Sequence, residues 1–144
     1  MARLIGIAKA REKLAPLEEM TSAPVTVERG IEGDVRGTKT DRQITILFRE
    51  GWEAACAEAN ASLPWVARRA NLYVEGLFVP REGARIAIGD VVLQVTKETK
   101  PCALMDKAHM GLRAALMPEW RGGVCCNVIT GGTLRLGNAV SVKA

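Results

Sequence analysis

Arg85-Ile86-Ala87-Ile88-Gly89-Asp90-Val91-Val92-Leu93-Gln94-Val95-Thr96 reads as two short apolar-alternating strands folded back at Gly89-Asp90. A glycine takes the positive φ that a tight reversal demands, so strands are predicted over 85–88 and 91–96. Working outward, the same pattern recurs. Further strands are predicted over 3–8, 23–27, 43–47, 71–74 and 124–129, and over 134–142 with an interruption at Gly137-Asn138. Helical periodicity is confined to three places. Arg49 to Asn60 carries Trp52, Ala55, Cys56 and Ala59 on one stripe, Ser62-Leu63-Pro64-Trp65 opens a short helix, and Leu104 to Met117 runs to Pro118. Many short strands with glycine turns predict a mainly β chain: a closed or nearly closed antiparallel β-barrel with a few peripheral α-helices. Neither a linker nor a repeat interrupts the pattern, so one domain is expected over residues 1–144.

Composition bounds the function. A chain of 144 residues buries about two-thirds of its unfolded surface in a single core. With 48% hydrophobic and 25% charged residues it has the balance of an ordinary globular protein. No apolar run approaches the ~18 residues that span a bilayer, and Met1 to Ala10 lacks an apolar signal-peptide segment. A cytoplasmic protein with no membrane partner is expected. Four cysteines in that compartment are then free thiols rather than disulfides. The net charge of +4 points to an anionic partner. Nucleic acid is not the expected one: three Trp, two Phe and one Tyr make no aromatic-basic platform.

Four clusters can carry chemistry. Cys102 follows Pro101, between an apolar strand and a helix, with Lys97 and Lys100 just upstream. Nearby positive charge favours the thiolate, which can attack, carry sulfur or ligate a soft metal. In Arg68-Arg69-Ala70-Asn71-Leu72, Arg69 and Asn71 share a face on extended backbone, a pairing that suits a polar anion, although taken alone a solvated edge-strand arginine with an asparagine making a turn is the commoner arrangement. Arg121-Gly122-Gly123 enters the strand of Cys125, where glycine N–H groups can approach a ligand or simply form a turn. Arg36 and Arg42 flank Gly33-Asp34 and Asp41 and can meet a phosphate or pair with those aspartates. Cys56 is expected to face the core. Cys125 and Cys126 should point to opposite faces of a strand and so cannot chelate one metal together. A zinc site from Cys102, His109, Cys125 and Cys126 lacks paired-ligand spacing, so no zinc is expected. His109, the sole histidine, is expected to have a surface or supporting role.

In order along the chain, Gly30-Ile31-Glu32-Gly33-Asp34, Asp41-Arg42-Gln43-Ile44-Thr45, Arg69-Ala70-Asn71-Leu72 with Glu75-Gly76-Leu77, Gly83 to Gly89-Asp90, Pro101-Cys102, Gly111-Leu112, Arg121-Gly122-Gly123-Val124 and Gly131-Gly132-Thr133-Leu134 resemble the MOSC family. That name comes from the C-terminal domain of molybdenum-cofactor sulfurases. The resemblance implies a β-barrel that binds the molybdenum cofactor, a molybdopterin. Cys102 would be both metal ligand and catalytic residue, and Arg69 and Asn71 would lie beside the cofactor. Arg121, Gly122, Gly123, Arg36 and Arg42 are further candidates for its polar groups. In members that are enzymes, the resemblance implies reduction of an N-hydroxylated or N-oxide small-molecule substrate, with electrons from a separate reductase. In sulfurase-type members it implies a sulfur carrier, here a persulfide on Cys102 supplied by a pyridoxal-phosphate cysteine desulfurase. Two positions depart from the pattern: Val35-Arg36-Gly37 stands where many bacterial relatives carry a histidine, and Asn138 stands where an aspartate is frequent.

Overall fold

The structure, a computed structural model, describes residues 2–143. The predicted hairpin forms as β7 (Arg85–Ile88) and β8 (Val91–Glu98), with Ile88 opposite Val91 and Arg85 opposite Gln94. Gly89 turns the chain at φ 56°. Ile86, Ile88, Val91, Leu93 and Val95 all point inward and are fully buried, as the period of two requires.

The other strands extend this pair. β1 (Arg3–Lys9), β2 (Glu18–Met20), β5 (Ile44–Phe48), β6 (Leu72–Glu75), β9 (Val124–Thr130) and β11 (Val140–Lys143) complete an eight-stranded sheet ordered β11-β7-β8-β9-β5-β6-β1-β2. β3 (Ser22–Thr26), β4 (Gly30–Ile31) and β10 (Gly132–Arg135) make a three-stranded sheet ordered β10-β3-β4. The inner faces share a core that includes Leu4, Ile7, Ile44, Ile46, Leu72, Val124 and Leu134.

The expected antiparallel barrel needs correction on two counts. β5 and β6 run parallel, because the α1 helix (Arg49–Ala59) carries the chain back across the sheet before β6 begins. Nor is any sheet among the described residues closed into a barrel. β1 meets the segment before β11 at one isolated bridge, Arg3 to Ala139, flanked by Leu4 N–H donating to Asn138 O and Val140 N–H donating to Ala2 O, each at 3.0 Å. The Gly137-Asn138 turn lies at this seam, with Gly137 at φ 91° and its N–H donating to Leu4 O at 2.8 Å, and no regular ladder runs beyond it.

Helices cover one side. α1 packs Trp52 and Ala55 against a second core with Leu47, Met105, Leu112 and Leu116. The helix predicted over 104–117 is two: α2 (Ala103–Ala108) and α3 (Leu112–Ala115). His109 is extended and Gly111 sits at φ 90°, while the Asp106 carboxylate accepts from Arg113 N–H at 3.1 Å and so restarts the helix. The short helix expected from Ser62 is a single 3-10 turn at Trp65–Arg68. Cys56 is half-buried against the helical core rather than fully inside it. Cys126 does enter the sheet core, and burial pushes its thiol well up from the usual range. Cys125, on the other face, contacts the Thr99 hydroxyl at 3.3 Å. No helix among the described residues is long and apolar enough to cross a membrane.

Candidate functional site

The end of β8 continues through Thr99, Lys100 and Pro101 to Cys102, which caps α2 with extended backbone and is exposed. Two contacts set the course of this segment. Thr99 N–H donates to Gly123 O at 2.9 Å. From below, Arg68 donates through Nε to Gly122 O at 3.2 Å and through Nη2 to Thr99 O at 2.9 Å. The two strands of backbone run so close that a Cβ on Gly122 would lie 2.5 Å from Thr99 O, so only glycine fits.

Arg68 is 8% exposed and has no carboxylate partner. Burial pushes its guanidinium down to about 10, with Arg36 and Arg42 acting in the same sense and the thiols of Cys102 and Cys125 opposing. Arg68 is the last residue of its 3-10 turn, and Arg69 follows in the left-handed region at φ 63°. That reversal sends the two adjacent guanidinium groups in different directions. Arg69 donates to Ala15 O at 2.5 Å.

Arg36 comes from the turn after β4. Its basicity is lowered first by burial and then by Arg42, with Asp34 opposing. The Asp34 carboxylate accepts from Ala10 N–H at 2.9 Å and from Arg36 N–H at 3.2 Å, so backbone donors occupy both its oxygens. Arg42 is half-buried, and its Nε is a buried donor with no acceptor.

Together these residues wall a cavity of about 260 Å³ that includes Arg36, Arg42, Arg68, Arg69, Thr45, Thr99, Lys100, Cys102 and Gly122. A second cavity of about 400 Å³ adjoins it and shares Arg36, Arg42, Arg69 and Leu104. Among the described residues the ion pairs join Arg11 to Glu18, Arg49 to Glu53 and Glu75, Lys97 to Asp41, and Arg121 to Glu58. None of the cavity arginines takes part. Four arginines and a lysine therefore border one small space whose lining holds no carboxylate, with Asp34 acting on Arg36 from the adjoining cavity, an arrangement suited to a phosphate or other oxyanion. No three His, Cys, Asp or Glu side chains among the described residues are grouped as a metal site.

The candidates from the sequence divide. Cys102, Arg69, Arg36, Arg42 and Gly122 converge on the smaller cavity. Asn71 borders only the larger one, and its amide is engaged by the protein. Oδ1 accepts from Thr45 N–H at 3.0 Å and contacts the Thr45 hydroxyl at 3.3 Å, while Nδ2 donates to Ala8 O at 3.1 Å. Arg121 lies elsewhere, donating to Glu58 at 2.8 Å and to Ala115 O at 3.1 Å. Gly123, at φ 97°, packs its backbone against Ile46 and lines neither cavity. His109 is half-buried, with Nε2 2.8 Å from Ala59 O. Thr45, Thr99, Lys100 and above all Arg68 complete the site without having been assigned to it from sequence. The one signal for Arg68 was an arginine closing an otherwise apolar turn, Trp65-Val66-Ala67.

A family model described as the MOSC domain matches residues 32–141. Among solved structures, the YuaD protein from Bacillus subtilis is similar with a TM-score of 0.80 at 20% identity, covering 99% of this chain and 96% of that one. YiiM from Escherichia coli has a TM-score of 0.73 at 18% identity, over 99% of this chain and 70% of that one. YiiM from Geobacillus stearothermophilus has a TM-score of 0.70 at 17% identity, over 99% and 73%. At these identities the likeness is one of fold. No curated protein matches the chain.

Proposed function

The chain belongs to the MOSC domain family, and on that premise we propose that it binds the molybdenum cofactor in the arginine-walled cavity, with Cys102 as the metal ligand. The observation that carries this reading is the unbalanced charge. Arg36, Arg42, Arg68, Arg69 and Lys100 meet around an exposed thiol, and the buried Arg42 Nε has no partner. An unpaired buried donor costs about 1–3 kcal/mol, more when charged. A ligand that draws the Arg42 fork toward the cavity would relieve that cost, and the other lining arginines have no carboxylate partner, so the residues present fit an oxyanion-bearing group.

The roles follow from the chemistry of the side chains. Cys102 offers a soft sulfur donor at the cavity wall. Arg36, Arg42 and Arg69 offer planar forks that hold a phosphate in two-point contacts, and Lys100 adds a mobile charge at the rim. Arg68, bonded to both neighbouring backbone segments, fixes where Cys102 stands. When bound, the cofactor supplies the two-electron chemistry that turns an N-hydroxylated or N-oxide compound into the corresponding amine or imine and water. Two electrons come from a separate reductase, and two protons come from solvent through the open rim.

Protein made in a host with intact cofactor biosynthesis should carry molybdenum and pterin, measured by elemental and fluorescence analysis. Wild type free of molybdenum, or Cys102→Ala retaining as much as wild type, would count decisively against the reading. The exposure of Cys102 also favours a second reading, a persulfide carrier served by a pyridoxal-phosphate cysteine desulfurase. Mass spectrometry after incubation with a desulfurase and cysteine should then show an adduct of about 32 Da on Cys102 that cyanide removes. Its absence rules that reading out.

A further inference from the structure

The larger cavity has walls unlike those of the thiol site. Beyond the shared arginines its lining adds the apolar Leu14, Leu17 and Val35, the basic Lys13 and Lys39, and the acidic Glu12 and Asp34. The segment 10–17 that forms its outer wall is tied down, with Arg69 donating to Ala15 O at 2.5 Å and Val35 N–H donating to Ala10 O at 2.7 Å. Within it Leu14 stands in the left-handed region at φ 63° and is 63% exposed. A leucine held there is strained and turned toward water, two costs a protein retains where a ligand covers the side chain. Charge on this side is also unbalanced. Lys13, Lys39, Arg36, Arg42 and Arg69 line the cavity against two carboxylates, Glu12 and Asp34.

We propose that this cavity is the substrate compartment and that it selects one- or two-ring compounds carrying a carboxylate. The ring lies against Leu14, Leu17 and Val35, and the carboxylate meets Lys13 and Lys39. At about 400 Å³ the space lies near the low end of small-molecule sites, roughly 300–1,000 Å³, which favours compact rings over extended chains. The shared arginine wall would put the substrate next to the cofactor, so the assignment rests on the reading that the smaller cavity holds it.

Purified protein titrated with benzoate and with benzamide, followed by amide chemical shifts, tests the proposal without turnover. Benzoate should bind saturably, shift Leu14, Leu17 and Val35, and bind at least about fivefold more tightly than benzamide. The double variant Lys13→Gln/Lys39→Gln should weaken benzoate about fivefold while the rest of the spectrum is preserved. Molybdenum content is measured on the same preparations: its absence while benzoate still shifts Leu14, Leu17 and Val35 counts against the cofactor reading alone, so the two failures are read separately. Equal affinity for the two probes, shifts centred away from residues 10–17, an unaffected double variant, or no saturation by about 10 mM overturns it.

Discussion

Replacing Arg68 with methionine tests whether a buried cation can serve a site at little benefit to the fold. Two charge-assisted hydrogen bonds, to Gly122 O and Thr99 O, are worth roughly 1.5–3 kcal/mol each. Against them stands the cost of burying the charge. A guanidinium brought from 12.5 down to about 10 corresponds to roughly 3 kcal/mol against the charged form. The two nearly offset, so Arg68→Met should destabilise the ligand-free protein by only about 1–3 kcal/mol, a fall in melting temperature of about 3–10 °C. Cofactor retention should suffer far more, because the variant loses a positive charge and frees the segment that carries Cys102. Arg68→Lys should keep the charge but reach only one of the two carbonyls, giving intermediate retention. Urea unfolding and molybdenum content on the same preparations decide the matter. A stability loss above about 5 kcal/mol would mean that the buried charge is essentially cost-free, and molybdenum unchanged in Arg68→Met would mean that Arg68 does not organise the site; either result refutes the reasoning.

Three further outcomes are expected. Asn71→Ala should cost about 2–4 kcal/mol in urea unfolding, because Thr45 N–H and Ala8 O lose a buried partner; a neutral effect would show that the amide is not a structural tie. Tyr73 is the chain's single tyrosine, and burial, aided by Glu53, pushes its phenol from 10.0 up to about 12. Absorbance at alkaline pH should therefore show ionisation well above pH 10, and stability should fall across the window from 10.0 to about 12, where the unfolded chain has released the proton and the folded chain retains it. Alkylation in native conditions should modify exposed Cys102 first, with Cys126, whose thiol is pushed up by burial, reacting only after unfolding; the opposite order in peptide mass maps would contradict the burial described here.

Local order was readable wherever one physical signal dominated. Alternation over 85–96 placed β7 and β8 within two residues, since a period of two on a half-buried strand leaves few alternatives. The stripe of Trp52 and Ala55 placed α1. The 104–117 stretch misled because its apolar period continues through Gly111, and a positive φ with a new cap from Asp106 divides it without disturbing the pattern. Site residues showed the same division. Cys102 stood out by its basic neighbours, whereas Arg121 and Arg69 looked alike in sequence, each being a basic residue near the entry to a strand. One is paired with Glu58 and the other lines the cavity.

What the sequence by itself determined is the strand-rich composition, the turn positions, the family pattern, and the choice of Cys102 as the residue to watch. Composition, turns and each single motif depend on residues within about a dozen positions of one another, where propensity and periodicity act, and the family pattern is a series of such motifs in order along the chain. Tertiary structure alone decided that the sheet is mixed and open, that Asn71 ties three strands together, and that Arg68 lies buried beneath the thiol. Those outcomes depend on contacts such as Arg68 to Gly122 and Asn71 to Ala8, between segments 54 and 63 residues apart. Whether an arginine pairs with a glutamate or faces a cavity is set by which surfaces the packed sheet brings together, and no local pattern encodes that.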